Sequence, residues 1–151
     1  MSTGNVTGDS NISFGAYAGR RLTSGGYNTF IGSSAGRYTT SGSRNQFIGI
    51  SAGSKNETGC ENIAIGCHAG SRATSGNHNT SIGRAAGFGN CTGHGNVSVG
   101  HSAGYGNRGS NNISIGATAG PADSCTDNDD NILIGRQVGS SLTSGCSNIF
   151  M

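Results

Sequence analysis

An asparagine that returns about every seventeen residues leaves this chain few folds to choose from. The asparagines that stand just ahead of a hydrophobic–glycine pair are Asn11, Asn28, Asn45, Asn62, Asn79, Asn96, Asn112 and Asn131, and Asn148 opens a further unit. The first five steps are seventeen residues, followed by sixteen, nineteen and seventeen. One unit reads "NTFIGSSAGRYTTSGSR", residues 28–44. Its fourth position is Phe14, Ile31, Ile48, Ile65, Ile82, Val99, Ile115 and Ile134, each followed by glycine. Its eighth is Ala18, Ala35, Ala52, Ala69, Ala86, Ala103, Ala119 and Val138, again each before glycine. A column that stays constant within one chain meets the same surroundings in every unit, which is the situation of stacked rungs. The fold class is therefore all-β: a parallel β-roll or β-solenoid of about eight coils of 16–19 residues. Residues 1–10 form a partial N-terminal coil, 11–147 the repeat domain and 148–151 the start of another coil.

The alternatives fit less well. Glycine supplies 29 of the 151 residues, and each costs about 1 kcal/mol inside a helix. Collagen requires glycine at every third position and much proline, whereas Pro121 is the single proline. Leu, Ile, Val and Phe total only 24 residues, a level typical of disorder, but their regular spacing points to packing. In "NTFIG" the second and fourth positions share a face, so the constant fourth position is expected inside and the variable second position only partly buried. Glycines at positions five and nine mark bends or close backbone approach. The Asn column is expected to hydrogen-bond turn backbone and to run from rung to rung. One isoleucine and one alanine per coil is little apolar surface against the ordering entropy of a whole coil. Three chains that turn their Ile and Ala columns toward a shared axis would enlarge the buried fraction, so a homotrimer is the expected state.

The frame carried by "NIAIGCHAGSRATSGNHNTSIG", residues 62–83, resembles the head repeats of YadA-like trimeric autotransporter adhesins. It also resembles the Gly-rich repeats of phage and viral tail-fibre or spike proteins. The resemblance covers residues 5–150 and implies a trimeric β-roll that presents a surface to a host receptor or glycan. Neither a signal peptide, a heptad stalk nor a membrane-length apolar stretch is visible. The expected location is therefore a virion surface, with a cell-surface or extracellular fragment as the alternative. Neighbouring fibre, spike or capsid protein is the expected partner at the open ends.

Nine Lys/Arg against seven Asp/Glu is too mild a charge to imply nucleic acid. Arg20, Arg21, Arg37, Lys55 and Arg72 nevertheless fall at positions ten and eleven of neighbouring units. Stacking would align them as a basic stripe, which serves either as a solubilising outer face or as a site for anionic glycans. The longer seventh unit, "GPADSCTDNDDN" at 120–131, holds Asp123, Asp127, Asp129 and Asp130. Asp127, Asp129 and Asn131 alternate as calcium ligands do, but the turn glycine and final glutamate of an EF-hand are missing. A bulged loop suited to partner contact is the primary reading, calcium the lesser one, and no other cofactor is implied.

Chemical motifs are sparse. "GYGNRG" at 104–109 matches a dinucleotide pattern without the helix it needs. The N-x-S/T matches, such as Asn79 and Asn96, follow from the repeat itself. His68, His78, His94 and His101 share no column, and the five cysteines do not form a disulfide framework. No catalytic set emerges, so the chain is read as non-enzymatic. Ice or crystal-surface binding is the alternative function. Its threonine column, Thr23, Thr40 and Thr74, is broken by Glu57 and Cys91.

Overall fold

The segment after each asparagine is a three-residue strand, and successive strands stack. The computed structural model describes residues 7–121, 128–142 and 145–151. Among these the strands are β1 (Ile12–Phe14), β2 (Thr29–Ile31), β3 (Gln46–Ile48), β4 (Ile63–Ile65), β5 (Thr80–Ile82), β6 (Val97–Val99), β7 (Ile113–Ile115), β8 (Ile132–Ile134) and β9 (Ile149–Phe150). They form one all-parallel sheet in chain order, and no helix occurs among the described residues. The result is a β-solenoid of about eight turns, roughly 40 Å along its stack at one strand spacing per rung. Register is kept position for position, with Ile31 opposite Ile48 and Ile48 opposite Ile65. It survives the short unit, where Val97 pairs Ile113, and the long one, where Ile113 pairs Ile132. Length changes are thus absorbed outside the strands.

Rung pairing continues around the coil. Arg21 N–H donates to the Arg37 carbonyl at 3.1 Å, and Tyr27 N–H to the Asp9 carbonyl at 2.9 Å. Between strand and stripe the chain makes linked turns: Ala18 N–H bonds Gly15 O, Arg20 N–H bonds Tyr17 O, and Leu22 N–H bonds Gly19 O. Tyr17 at φ 60° and Gly19 at φ 57° occupy the third place of the first two turns, the left-handed place that a type II turn demands.

The asparagine expectation holds in detail. Asn62 N–H and Nδ2 donate to Asn45 Oδ1 at 3.0 and 3.1 Å. Asn62 Nδ2 also reaches the Gly76 carbonyl at 2.8 Å and so closes its own coil. The same links to the preceding Asn run from Asn11 to Asn148. Truncating Asn62 to alanine would strand the buried Asn79 N–H, which it now accepts at 3.0 Å, together with the Gly76 carbonyl. We expect Asn62→Ala to lower unfolding free energy by about 2–3 kcal/mol, read from a denaturant titration.

The direction of the isoleucine column differs from expectation. Position three points inward: Phe30, Phe47, Ala64, Ser81, Ser98, Ser114 and Leu133 are all buried. With strand pleating, positions two and four then face out. Ile31, Ile65, Ile82, Ile115 and Ile134 are 37%, 37%, 39%, 38% and 39% exposed, so their near-equality marks one environment, outside the coil. The alanine column does turn inward, fully buried from Ala35 to Ala119. Ile and Ala columns therefore point apart instead of sharing a core. The interior is narrow, and position twelve turns inward with position three. Phe30 sits with Thr39, Ala64 with Ala73, Ser81 with Asn90, and Ser98 with Asn107. Phe30 and Phe47 stack with centroids 5.5 Å apart.

Glycine at position nine makes room for position three. A Cβ on Gly53 would lie 2.4 Å from the Phe47 ring, whereas one on Gly70 meets the Ala64 methyl at 3.3 Å; both glycines have φ +55°. Backbone strain is therefore common to the two sites and cancels in comparison. Gly53→Ala should destabilise more than Gly70→Ala by about 1–3 kcal/mol, the cost of overpacking. Equal losses in paired melts would show that the ring gives way freely.

Candidate functional surfaces

The stack converts sequence columns into surface lines, and two of these lines stand out. The first is the outward face of the sheet. Position four contributes Phe14, Ile31, Ile48, Ile65, Ile82, Val99, Ile115 and Ile134, and position two contributes Ile12, Ile63, Val97, Ile113, Ile132 and Ile149 among more polar residues such as Gln46. None of these apolar residues is buried. Its width and length make an apolar strip on the order of 400 Å², the size of the largest apolar patch on an ordinary monomer, a patch that is often functional. No charged residue interrupts the described strands.

The second line is the basic stripe, which the stack does assemble. Arg20 and Arg37 lie over the Tyr17 ring, their Cζ atoms 5.3 and 5.2 Å from its centroid. Tyr38, one rung on, is approached by Arg21 at 4.8 Å, Arg37 at 5.1 Å and Lys55 Nζ at 4.5 Å. Arg37 thus joins the two rings. Farther along, Arg72 lies 5.2 Å from Phe88, and Phe88 stacks on Tyr105 at 5.0 Å with 9° between planes. Arg20, Arg21, Arg37 and Tyr38 line a shallow cleft. Among the described residues none of the five cations pairs with a carboxylate. The ion pair there is Arg44–Glu61 at 3.3 Å, and His78 Nδ1 lies 3.1 Å from the same carboxylate, both away from the stripe. The rings Tyr17, Tyr38, Phe88 and Tyr105 had no assigned role in the sequence reading. Their spacing relative to the cations, on the same or the next rung at positions seven, ten and eleven, was the available signal.

The acidic segment behaves differently. Asp123 and Asp127 lie outside the described residues. Asp129 is tied into the stack: its Oδ1 accepts the Ser110 N–H at 2.7 Å, and its carbonyl accepts from Asn131 Nδ2 and the Ser147 N–H. Asp130 is exposed at φ 58°. Neither belongs to the column that carries the stripe.

Asp129 belongs to a further ladder that residue types conceal. At position sixteen or its equivalent, Gly26 N–H donates to Ser43 Oγ, Ser43 N–H to Cys60 Sγ, and Cys60 N–H to Asn77 Oδ1. Asn77 N–H donates to His94 Nδ1, and His94 N–H to Ser110 Oγ. Serine, cysteine, asparagine, histidine and aspartate share only an acceptor atom at hydrogen-bonding reach. Cys60 and His94 are explained by this structural duty. Cys60, Cys67, Cys91 and Cys146 are free thiols. The threonine hydroxyls of Thr23, Thr40 and Thr74 donate to the carbonyl of the next rung at 3.0, 3.0 and 2.9 Å. They serve the stack, which leaves the ice-binding alternative without a favouring observation. No group of three His, Cys, Asp or Glu residues gathers among the described residues. No helix there is long and apolar enough to cross a membrane.

Scans of protein-family models, curated proteins and solved structures each return no match to this chain.

Proposed function

We propose that this chain is a structural and adhesive segment of a homotrimeric fibre or spike, which holds a recognition surface out from a virion or cell. The observation that carries the reading is the uncharged apolar strip along the outward face of the sheet. Its isoleucines Ile31, Ile65, Ile82, Ile115 and Ile134 keep nearly constant exposure, as a surface meeting one continuous partner would. The partner best matched to a straight ladder of one rung spacing is another copy of the same ladder.

Two features favour three copies. Positions two and four both leave the sheet outward but flank the inward position three, so the face has two columns. Column two of one chain can meet column four of the next, a heterologous contact that closes when its rotation is one-third of a turn. The second feature is the thin interior, where serine and asparagine occupy rungs that a larger core would fill with apolar groups. Pooling three outer strips adds apolar burial to a coil that its backbone and asparagine ladders already hold. Light scattering on the purified chain tests the reading. A mass three times the 15.0 kDa of one chain supports it, and a folded monomer at micromolar concentration removes it.

A further inference from the structure

We infer that the stripe built by Arg20, Arg21, Arg37, Lys55 and Arg72 is a binding site for a linear anionic polysaccharide. This deepens the adhesive reading by naming the ligand class. The first argument is electrostatic. Like charges on adjacent rungs repel, and a carboxylate between them is the ordinary remedy, yet none pairs with these five among the described residues. The negative faces of Tyr17, Tyr38 and Phe88 take that place. Each such contact contributes about 0.5–1 kcal/mol at an exposed site, enough to hold the cations close without cancelling their charge. Dispersed cations would serve solubility equally well; a crowded, unneutralised row favours an anion.

The second argument is geometric. Rings hold the guanidinium groups against the surface, so less side-chain freedom is lost on binding. Guanidinium forks suit carboxylate and sulfate groups, which they engage by paired N–H bonds. From Arg20 to Arg72 the row crosses three rung spacings, about 14 Å. An extended chain of pyranose rings advances per ring by close to one rung, so acidic groups on successive sugars fall in step with successive cations.

Nucleic acid fits less well. Single strands are held by free aromatic faces on which bases stack, whereas Tyr17 and Tyr38 are covered by cations and Phe88 and Tyr105 by each other. The formal charge of +2 also gives no broad positive field around the stripe.

The test is a calorimetric titration of the full chain at low salt with a heparin hexasaccharide, alongside a single-stranded DNA oligonucleotide of equal charge. Arg21→Gln/Arg37→Gln/Lys55→Gln is compared with Arg44→Gln/Arg108→Gln/Arg136→Gln, which removes the same charge off the stripe. Circular dichroism checks the fold, and Lys55→Gln alone, at an exposed position, serves if the triple variant misfolds. The expected result is loss of about tenfold or more in hexasaccharide affinity for the stripe variant, with the control close to wild type. The single Lys55→Gln should lose a smaller but measurable part. Absence of binding to wild type, equal loss in both triple variants, no loss in Lys55→Gln when it alone folds, or tighter binding of the DNA overturns the inference. A trimer that ignores the hexasaccharide overturns the ligand class and leaves the fibre reading; a monomer that binds it does the reverse.

Discussion

Gly49→Ala is expected to cost about 5 kcal/mol or more, which would leave most of the chain unfolded at room temperature. Gly49 follows β3 and has φ +131°, and a Cβ built there lies 2.6 Å from the Gly66 carbonyl oxygen and 2.7 Å from its carbon. The obstacle is backbone of the next rung, so no side chain can swing away. Separating the rungs would sacrifice the Gly66 N–H bond to the Ile48 carbonyl at 2.8 Å. Strain and overpacking each contribute about 1–3 kcal/mol, and the broken bond about 1 kcal/mol more. Ala85, by contrast, already stands at φ 55°, a milder left-handed conformation that alanine tolerates at modest cost. The two places separate backbone shape from packing. A circular dichroism melt of Gly49→Ala that matches wild type would mean that neighbouring rungs sit farther apart than described.

The repeat made much of this architecture legible. Asn and the hydrophobic–Gly pair mark the strand, the period gives the pairing, and together they yield the parallel register from Ile12 to Phe150. The inward side was harder. Constancy of Ile31, Ile48 and Ile65 suggests burial, yet the variable column of Phe30, Phe47, Ala64 and Ser81 lines the interior. The interior nevertheless accepts this variation: Phe47, Asn56, Ala64, Ala73, Ser81 and Asn90, from positions three and twelve, line one narrow space. The outward column varies far less, and one uniform neighbour would hold it constant. Acceptor columns are likewise opaque to pattern reading, since Cys60, Asn77 and His94 have little in common until their backbone donors are located. The basic stripe was legible as numbers modulo the period, but the rings that gather its charges emerged only from side-chain placement.

Ile65→Asp/Ile82→Asp should convert the proposed trimer to single chains that stay folded, at a modest like-charge cost because the two positions pair across β4 and β5. Ile65 and Ile82 are 37% and 39% exposed in one chain, so aspartate there meets water, and the inward Ala64 and Ser81 are untouched. Position two already accepts Gln46 and Thr80 on the same face. In a trimer closed along these columns the same carboxylates would be desolvated without partners, each costing several kcal/mol, and three copies would repel around the axis. At about 3 kcal/mol per substituted position, two positions weaken association by about four orders of magnitude. Light scattering and circular dichroism on one sample read mass and fold together. A folded variant with the mass of one chain supports the interface. A folded variant that has the mass of three chains places the contact elsewhere, and loss of the β signal at a concentration where wild type is monomeric would mean that these side chains stabilise the single coil itself.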